Sequence, residues 1–162
     1  MSSEEGLPVG ITRPGLEFVY AAQAELGEPI TIGDTPDGVR RIIPIFSGMV
    51  EGPNIRGRIL GGGSDWQVLR PDGVTVADAT YAMEADDGTI IQIRNRGLRH
   101  GPPDIMRQLG SGADVDPAAY YFRTVPEFIA PVGSHDWLNR SIFICAGARY
   151  PASIRLWVWR VI

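Results

Sequence analysis

The chain is short of the residues that most often announce a reaction. It holds 1 cysteine and 2 histidines among 162 residues. A lone cysteine, Cys145, excludes an internal disulfide and suits a reducing compartment, so a cytoplasmic protein is expected. Cys145 lies in the apolar run Ile142–Ala146 with no neighbouring cation to lower its pKa. It reads as an inert thiol, not a nucleophile. Zinc wants three or four ligands, and His100, His135 and Cys145 are far apart in sequence, so no metal and no cofactor are expected. The nucleophile motif G-x-S-x-G is missing, and so is a dinucleotide fingerprint framed by strand and helix. Gly61-Gly62-Gly63 is followed neither by Lys-Ser/Thr nor by a helix whose amides would cradle a phosphate. No apolar run is long enough to cross a bilayer. The start, Met1–Gly6, is polar and acidic, unlike a secretory signal. Positive charge is also scarce: the formal net charge is -4. That argues against nucleic acid or an anionic membrane as partner and leaves a small molecule.

What is abundant is turn chemistry. The 20 glycines and 13 prolines suit short strands and work against long helices. Ile59–Gly97 organises the rest. Two β-branched runs meet at Ala85-Asp86-Asp87-Gly88, and Asp72-Gly73 joins Asp65–Arg70 to Val74–Glu84. Asp-Gly is a strong hairpin signal, so these runs predict an antiparallel meander. Around it, Leu16–Leu26 alternates as a strand, although its Ala/Glu/Gln content also tolerates a helix. Gly27–Gly38 reads as a loop or an extended edge. Arg40–Val50 carries Pro44, which belongs at an edge or irregularity. Ile55–Leu60 is a short strand. Leu98–Gly112 is an irregular excursion with a helical turn around Pro103–Leu109. Ala118–Ala130 is a strand interrupted by Pro126. Arg140–Arg149 and Ile154–Val161 close the chain as two strands.

The expected architecture is therefore all-β: one antiparallel barrel over residues 16–162, after a loose tail over residues 1–15. Closure removes exposed edges, and a barrel of about eight strands holds one small ligand. A two-sheet sandwich is the alternative. The last strand alternates cleanly, with Leu156 and Val158 opposite Trp157 and Trp159. One face fills the barrel, and the other needs cover from this chain or from a second copy, so a homo-oligomer, most simply a dimer, is expected.

The central segment resembles the family known as domain of unknown function 3237, or UPF0311. The motifs are G-G-G-S-D-W at Gly61–Trp66, R-P-D-G at Arg70–Gly73 and D-D-G-x-I-x-x-x-N-x-G at Asp86–Gly97. Y-F-R-T-V-P-E-F at Tyr121–Phe128 and D-W-L-N at Asp136–Asn139 also fit, and their order spans most of the chain. The resemblance implies a small antiparallel barrel with a cavity and names no general activity. Thr80 departs from the arginine expected in many relatives. If that arginine binds an anion, the departure implies a less charged ligand here.

Several side chains are candidates for chemistry. Asp65, beside Trp66, is a proton-transfer group if its carboxylate lies in a cavity, and a turn-capping aspartate otherwise. Alternation puts Tyr81 on one face with Ala77, Ala79 and Met83. There its hydroxyl either holds an oxyanion or belongs to an ordinary core tyrosine. Asn95 shares a face with Ile91 and Ile93, as a ligand-binding amide or a structural latch. Trp66, His135 and Trp137 are candidate ligand contacts, and packing or a surface loop is the plainer role for each. The expected function is a cofactor-free acid–base enzyme of isomerase, hydratase/lyase or conjugate-addition type, acting on a carbonyl-containing or aromatic metabolite. Asp65 and Tyr81 would be catalytic. A non-catalytic small-molecule-binding barrel is the alternative.

Overall fold

The computed structural model describes residues 6–162, and ten strands form one antiparallel sheet. They are β1 (Leu16–Leu26), β2 (Ile30–Thr35), β3 (Gly38–Glu51), β4 (Arg56–Ile59) and β5 (Gly63–Leu69), then β6 (Thr75–Ala85), β7 (Ile90–His100), β8 (Tyr121–Ile129), β9 (Phe143–Arg149) and β10 (Ser153–Val161). One helix, α1 (Pro103–Gly110), and two short 3-10 turns complete the described secondary structure. No described helix is long and apolar enough to cross a membrane.

The sheet closes because β1 pairs with both β10 and β3. Two strand positions are split. Along one edge of β3, β1 ends with Leu26 opposite Ile45, and β2 resumes with Ile30 opposite Ile42. Along the other edge, β4 pairs near Val50 and β5 pairs from Ile45 to Val39. β4 and β5 both continue onto β6, so the ten strands fill eight positions of a closed barrel. The edge segment expected at Gly27–Gly38 is thus the split-off strand β2 hairpinned to β3. Pro44 sits where that edge changes hands: its carbonyl accepts a hydrogen bond from the Gly27 amide, 2.9 Å. Pro126 does not interrupt β8, which runs unbroken past it with Pro126 opposite Asn95. Its missing N–H costs little there, because β8 pairs with β9 only at Arg123 and Thr124.

Inward alternation fills one end of the barrel with apolar bulk. Tyr20, Val50, Met83, Ile91, Phe128 and Phe143 are all buried there, with Phe128 and Phe143 edge to face at 4.8 Å. The 3-10 turn at Asp136–Arg140 lays Leu138 over this end as a plug. Asn139 fastens it by a pair of hydrogen bonds to Ala130, accepting its N–H and donating to its C=O, both at 2.8 Å. The D-W-L-N motif is therefore a closing device. At the other end a second cluster of Val115, Tyr120 and Phe122 packs with Ile105 and Leu109 of α1. The excursion after β7 thus covers that end. The outer face of β10 presents half-buried Trp157 and Trp159, and Phe18 of β1 packs edge-on against Trp159 at 6.1 Å.

Candidate active site

Between the plug and the α1 cover lies a cavity of about 50 Å³. Its walls are apolar on β1, β3, β4 and β10, through residues such as Ala24, Ile43, Ile45, Ile59 and Leu156. Its polar lining is Asp65, Gln67, Tyr81, Asn95, Arg99, Thr124 and Arg149.

The strand period explains each placement. In β5, Gly63, Asp65 and Gln67 share the inner face, and β5 can lie close to β6 because residue 63 is glycine. A Cβ on Gly63 would come 2.5 Å from Tyr81 Cβ and 2.7 Å from the Thr80 carbonyl. Asp65 reaches across to β6. Its Oδ1 accepts the Asp78 N–H at 2.8 Å, and its Oδ2 accepts from Gln67 Nε2 at 2.7 Å. Gln67 Oε1 in turn accepts from Arg41 Nε at 2.8 Å, which ties β3 to the same chain of bonds. Loss of water pushes the Asp65 carboxyl above its ordinary value. The Gln67 and Asp78 donors and the Arg99 charge oppose that rise without cancelling it.

In β6, Tyr81 points inward with Ala77 and Ala79. Burial drives its phenol well above the ordinary value, and the nearby Asn95 amide pulls the other way. The hydroxyl is therefore neutral at any working pH and available as a donor. In β7 the inward residues are Ile91, Ile93, Asn95, Gly97 and Arg99. Gly97 lets β8 approach, since a side chain there would collide with the Arg123 carbonyl and Thr124. Arg99 is 5% exposed. Burial, and then the charges of Arg41 and Arg149, lower its pKa to about 10. The guanidinium lies over the Phe122 ring, 5.4 Å from the centroid. Arg149, on β9, donates to the carbonyls of Tyr150 and Ser153. Burial lowers its pKa too.

Asp65, Tyr81 and Asn95 are thus brought together on one cavity, from three successive strands. Asp65 also does what the plainer role required, bonding a backbone amide, but across the sheet instead of within a turn. The other three candidates lie elsewhere. Trp66 is one step out of phase with Asp65 and is 52% exposed on the outer face. His135 sits at the plugged end, where Nε2 is 2.9 Å from Asp87 Oδ2. Trp137 packs against Phe143 beside the plug. Thr80 faces outward and is exposed, so the departure there does not set the charge of the cavity. Cys145 is buried, and desolvation raises its thiol to about 11, which suits an inert group. Among the described residues no cluster of three or more His, Cys, Asp or Glu side chains is placed to hold a metal.

The arginines and Gln67 were missed at the level of sequence. The signal for Arg99 is present: it continues the alternation of Ile91, Ile93 and Asn95, but it falls in Leu98–Gly112, whose glycines and prolines read as an irregular excursion, whereas β7 runs on to His100.

Residues 14–161 match the family described as Protein of unknown function (DUF3237), and the chain belongs to it. A UPF0311 protein of Clostridium acetobutylicum is 40% identical over 146 residues, covering 90% of this chain and 92% of that one. The crystal structure of a conserved protein of unknown function from Rhodopseudomonas palustris superposes with a TM-score of 0.88 at 36% identity, covering 94% and 99% of the two chains. A more distant relative carries a name with chemistry in it. The hydroalkoxylation enzyme phnH of Penicillium herquei is 32% identical over 83 residues, 51% of this chain and 54% of that one.

Proposed function

We propose that this member of the DUF3237 family is a cofactor-independent acid–base enzyme that adds an O–H across, or eliminates it from, a carbon–carbon double bond conjugated to a carbonyl. The observation that carries the reading is a single carboxylate, Asp65, held above its ordinary pKa inside a largely apolar cavity beside a neutral tyrosine, an amide and a guanidinium. In the addition, Asp65 takes the proton from a hydroxyl. That oxygen bonds to the β-carbon, and the π electrons move onto the carbonyl oxygen as an enolate. The Asp65 carboxylic acid then returns the proton to the α-carbon, so no oxidant, reductant or metal is consumed. Tyr81 and Asn95 are the donors for the enolate oxygen, and neutral donors in a dry site favour such charge more than water does. A raised carboxyl pKa suits both halves of the cycle, since the same group must accept and then give up the proton. The sequence contains no lysine, so a lysine Schiff base is not an alternative route to the enolate. The name of the Penicillium herquei relative describes the same class of bond change, which supports this choice over simple isomerisation.

A binding protein without chemistry is the second reading. Both oxygens of Asp65 already accept hydrogen bonds within the protein, which is what a structural latch would do. The two readings separate in deuterium oxide. A panel of small enones and their β-hydroxy and β-alkoxy counterparts is followed by NMR for deuterium at the α-carbon. Wild type is expected to exchange at least one member, and D65N to be slower by about 100-fold or more, the lower range for a lost general base. A compound that binds in the cavity and exchanges equally with wild type and D65N would leave binding alone.

A further inference from the structure

We propose that Arg99, supported by Arg149, binds a carboxylate group of the ligand, so that the molecule taken by the cavity is an organic carboxylate. This rests on the reading above that the cavity is the reaction site, and it adds the chemical class of what enters.

The cavity has an excess of fixed positive charge. Arg99 and Arg149 line it, Arg41 stands behind Gln67, and Asp65 is the carboxylate that faces them. Arg41 and Arg149 both repel Arg99 electrostatically, and Asp65 attracts it. Against three guanidiniums, one carboxylate leaves an imbalance that burial makes costly. Solvent does not relieve it at Arg99, which is 5% exposed. Nor does the protein. Arg99 takes part in none of the ion pairs among the described residues, and its Nε is buried without a hydrogen-bond partner. Arg149 and Arg41, by contrast, each donate to a protein oxygen. Thr124 Oγ1, also on the cavity, is buried without a hydrogen-bond partner and can donate to the same ligand, whereas Asn95 Oδ1 is an acceptor that a carboxylate does not satisfy. Native interiors leave few such groups, and unpartnered donors around one space point to a ligand that accepts from them.

A carboxylate fits better than a larger or neutral group. A guanidinium presents a planar fork that matches a carboxylate, and the Arg99 guanidinium, 5.4 Å from the Phe122 ring centroid, lines the cavity with its Nε unpartnered. The apolar walls of Ile43, Ile45, Ile59 and Leu156 offer nothing for the further charged oxygens of a phosphate. Arg99 is also close enough to Asp65 to act on its charge. A carboxylate held there would present the adjoining carbons to the proton-transfer group.

Isothermal titration with benzoate, benzamide and inorganic phosphate tests this at equilibrium, without turnover. Benzoate is expected to bind wild type at least about tenfold tighter than benzamide or phosphate, a charge-assisted pair against a neutral one. R99Q should weaken benzoate by a similar factor, R99K less, and R107Q on the exposed face of α1 not at all. If R99Q fails to fold, the wild-type comparison of benzoate with benzamide decides alone. Equal affinity for benzoate and benzamide, a preference for phosphate, no binding of benzoate, or full benzoate affinity in R99Q would overturn the assignment. D65N separates this from the catalytic reading: with the competing carboxylate gone it should bind benzoate at least as tightly as wild type while losing α-carbon exchange.

Discussion

The two ends of the barrel are built on opposite terms. At the plugged end the inward positions are filled mainly by apolar bulk, and most of the polar atoms around them are paired, His135 Nδ1 excepted. Asn139 satisfies both backbone groups of Ala130, and Asp87 holds the Thr89 amide and His135. At the cavity end, the same alternation delivers a carboxylate, a glutamine and guanidiniums, and several polar atoms go without partners. The carboxylates show the contrast directly. Asp87 is exposed, and the Thr89 hydrogen bonds, then His135, bring its pKa down to about 2. Asp65 is desolvated and pushed up. One end holds the fold together, and the other carries a desolvated carboxylate and unpaired polar atoms at a cost in stability, which is the local conflict that the proposed function would explain.

Substitutions at the two ends should therefore fail in different ways. F143A removes a ring that is 1% exposed and wedged against Phe128, and should cost about 3–5 kcal/mol in denaturant unfolding. N139A strands the N–H and C=O of buried Ala130, an expected loss of about 1–3 kcal/mol, with any catalytic site intact. G63A drives a methyl into Tyr81 and Thr80, and should cost about 1–3 kcal/mol. Unlike N139A, it should also disturb proton transfer, because Asp65 stands two residues away on the same inner face. R99M keeps most of the side-chain volume over Phe122 and removes an uncompensated charge. Its melting temperature is expected to be no lower than that of wild type. A clear drop would mean that Arg99 is structural.

The smallest effect is in pH dependence, and its sign differs between the ends. Asp65 has a raised value in the folded protein, so the unfolded chain releases this proton first as pH rises. Its contribution to stability is full below the ordinary carboxylate range and is lost as pH climbs through the folded value. The melting temperature of wild type relative to D65N should fall from pH 3 to pH 8. Asp87 is depressed, so its contribution is present above the ordinary range and is lost as pH falls toward about 2. The comparison of wild type with D87N should run the opposite way.

How much of this was legible in the sequence follows from what alternation encodes. Period two grouped Tyr81 with Ala77, Ala79 and Met83, Asn95 with Ile91 and Ile93, and set Trp159 opposite Leu156 and Val158, because it depends only on the chain itself; which face of the last strand is inside needs the closed barrel. The hairpin glycines fixed the β5–β6–β7 meander for the same reason. Arg99 lies beyond Gly97, which signals a loop unless β8 is known to press against it. Arg41, Gln67 and Arg149 come from strands far apart in sequence, and nothing local says that they converge. Trp66, His135 and Trp137 were grouped with the site because aromatics and histidines often line pockets. Phase excludes Trp66, and the plug claims Trp137.

The most direct measurement takes a single preparation of D65N and of wild type and records thermal unfolding and α-carbon deuterium exchange side by side at neutral pH. The expected result is a D65N protein that still unfolds cooperatively, with its melting temperature changed by no more than the loss of one accepted hydrogen bond, and exchange reduced by about 100-fold or more. A D65N protein that is folded and exchanges at the wild-type rate would contradict the role given to this carboxylate.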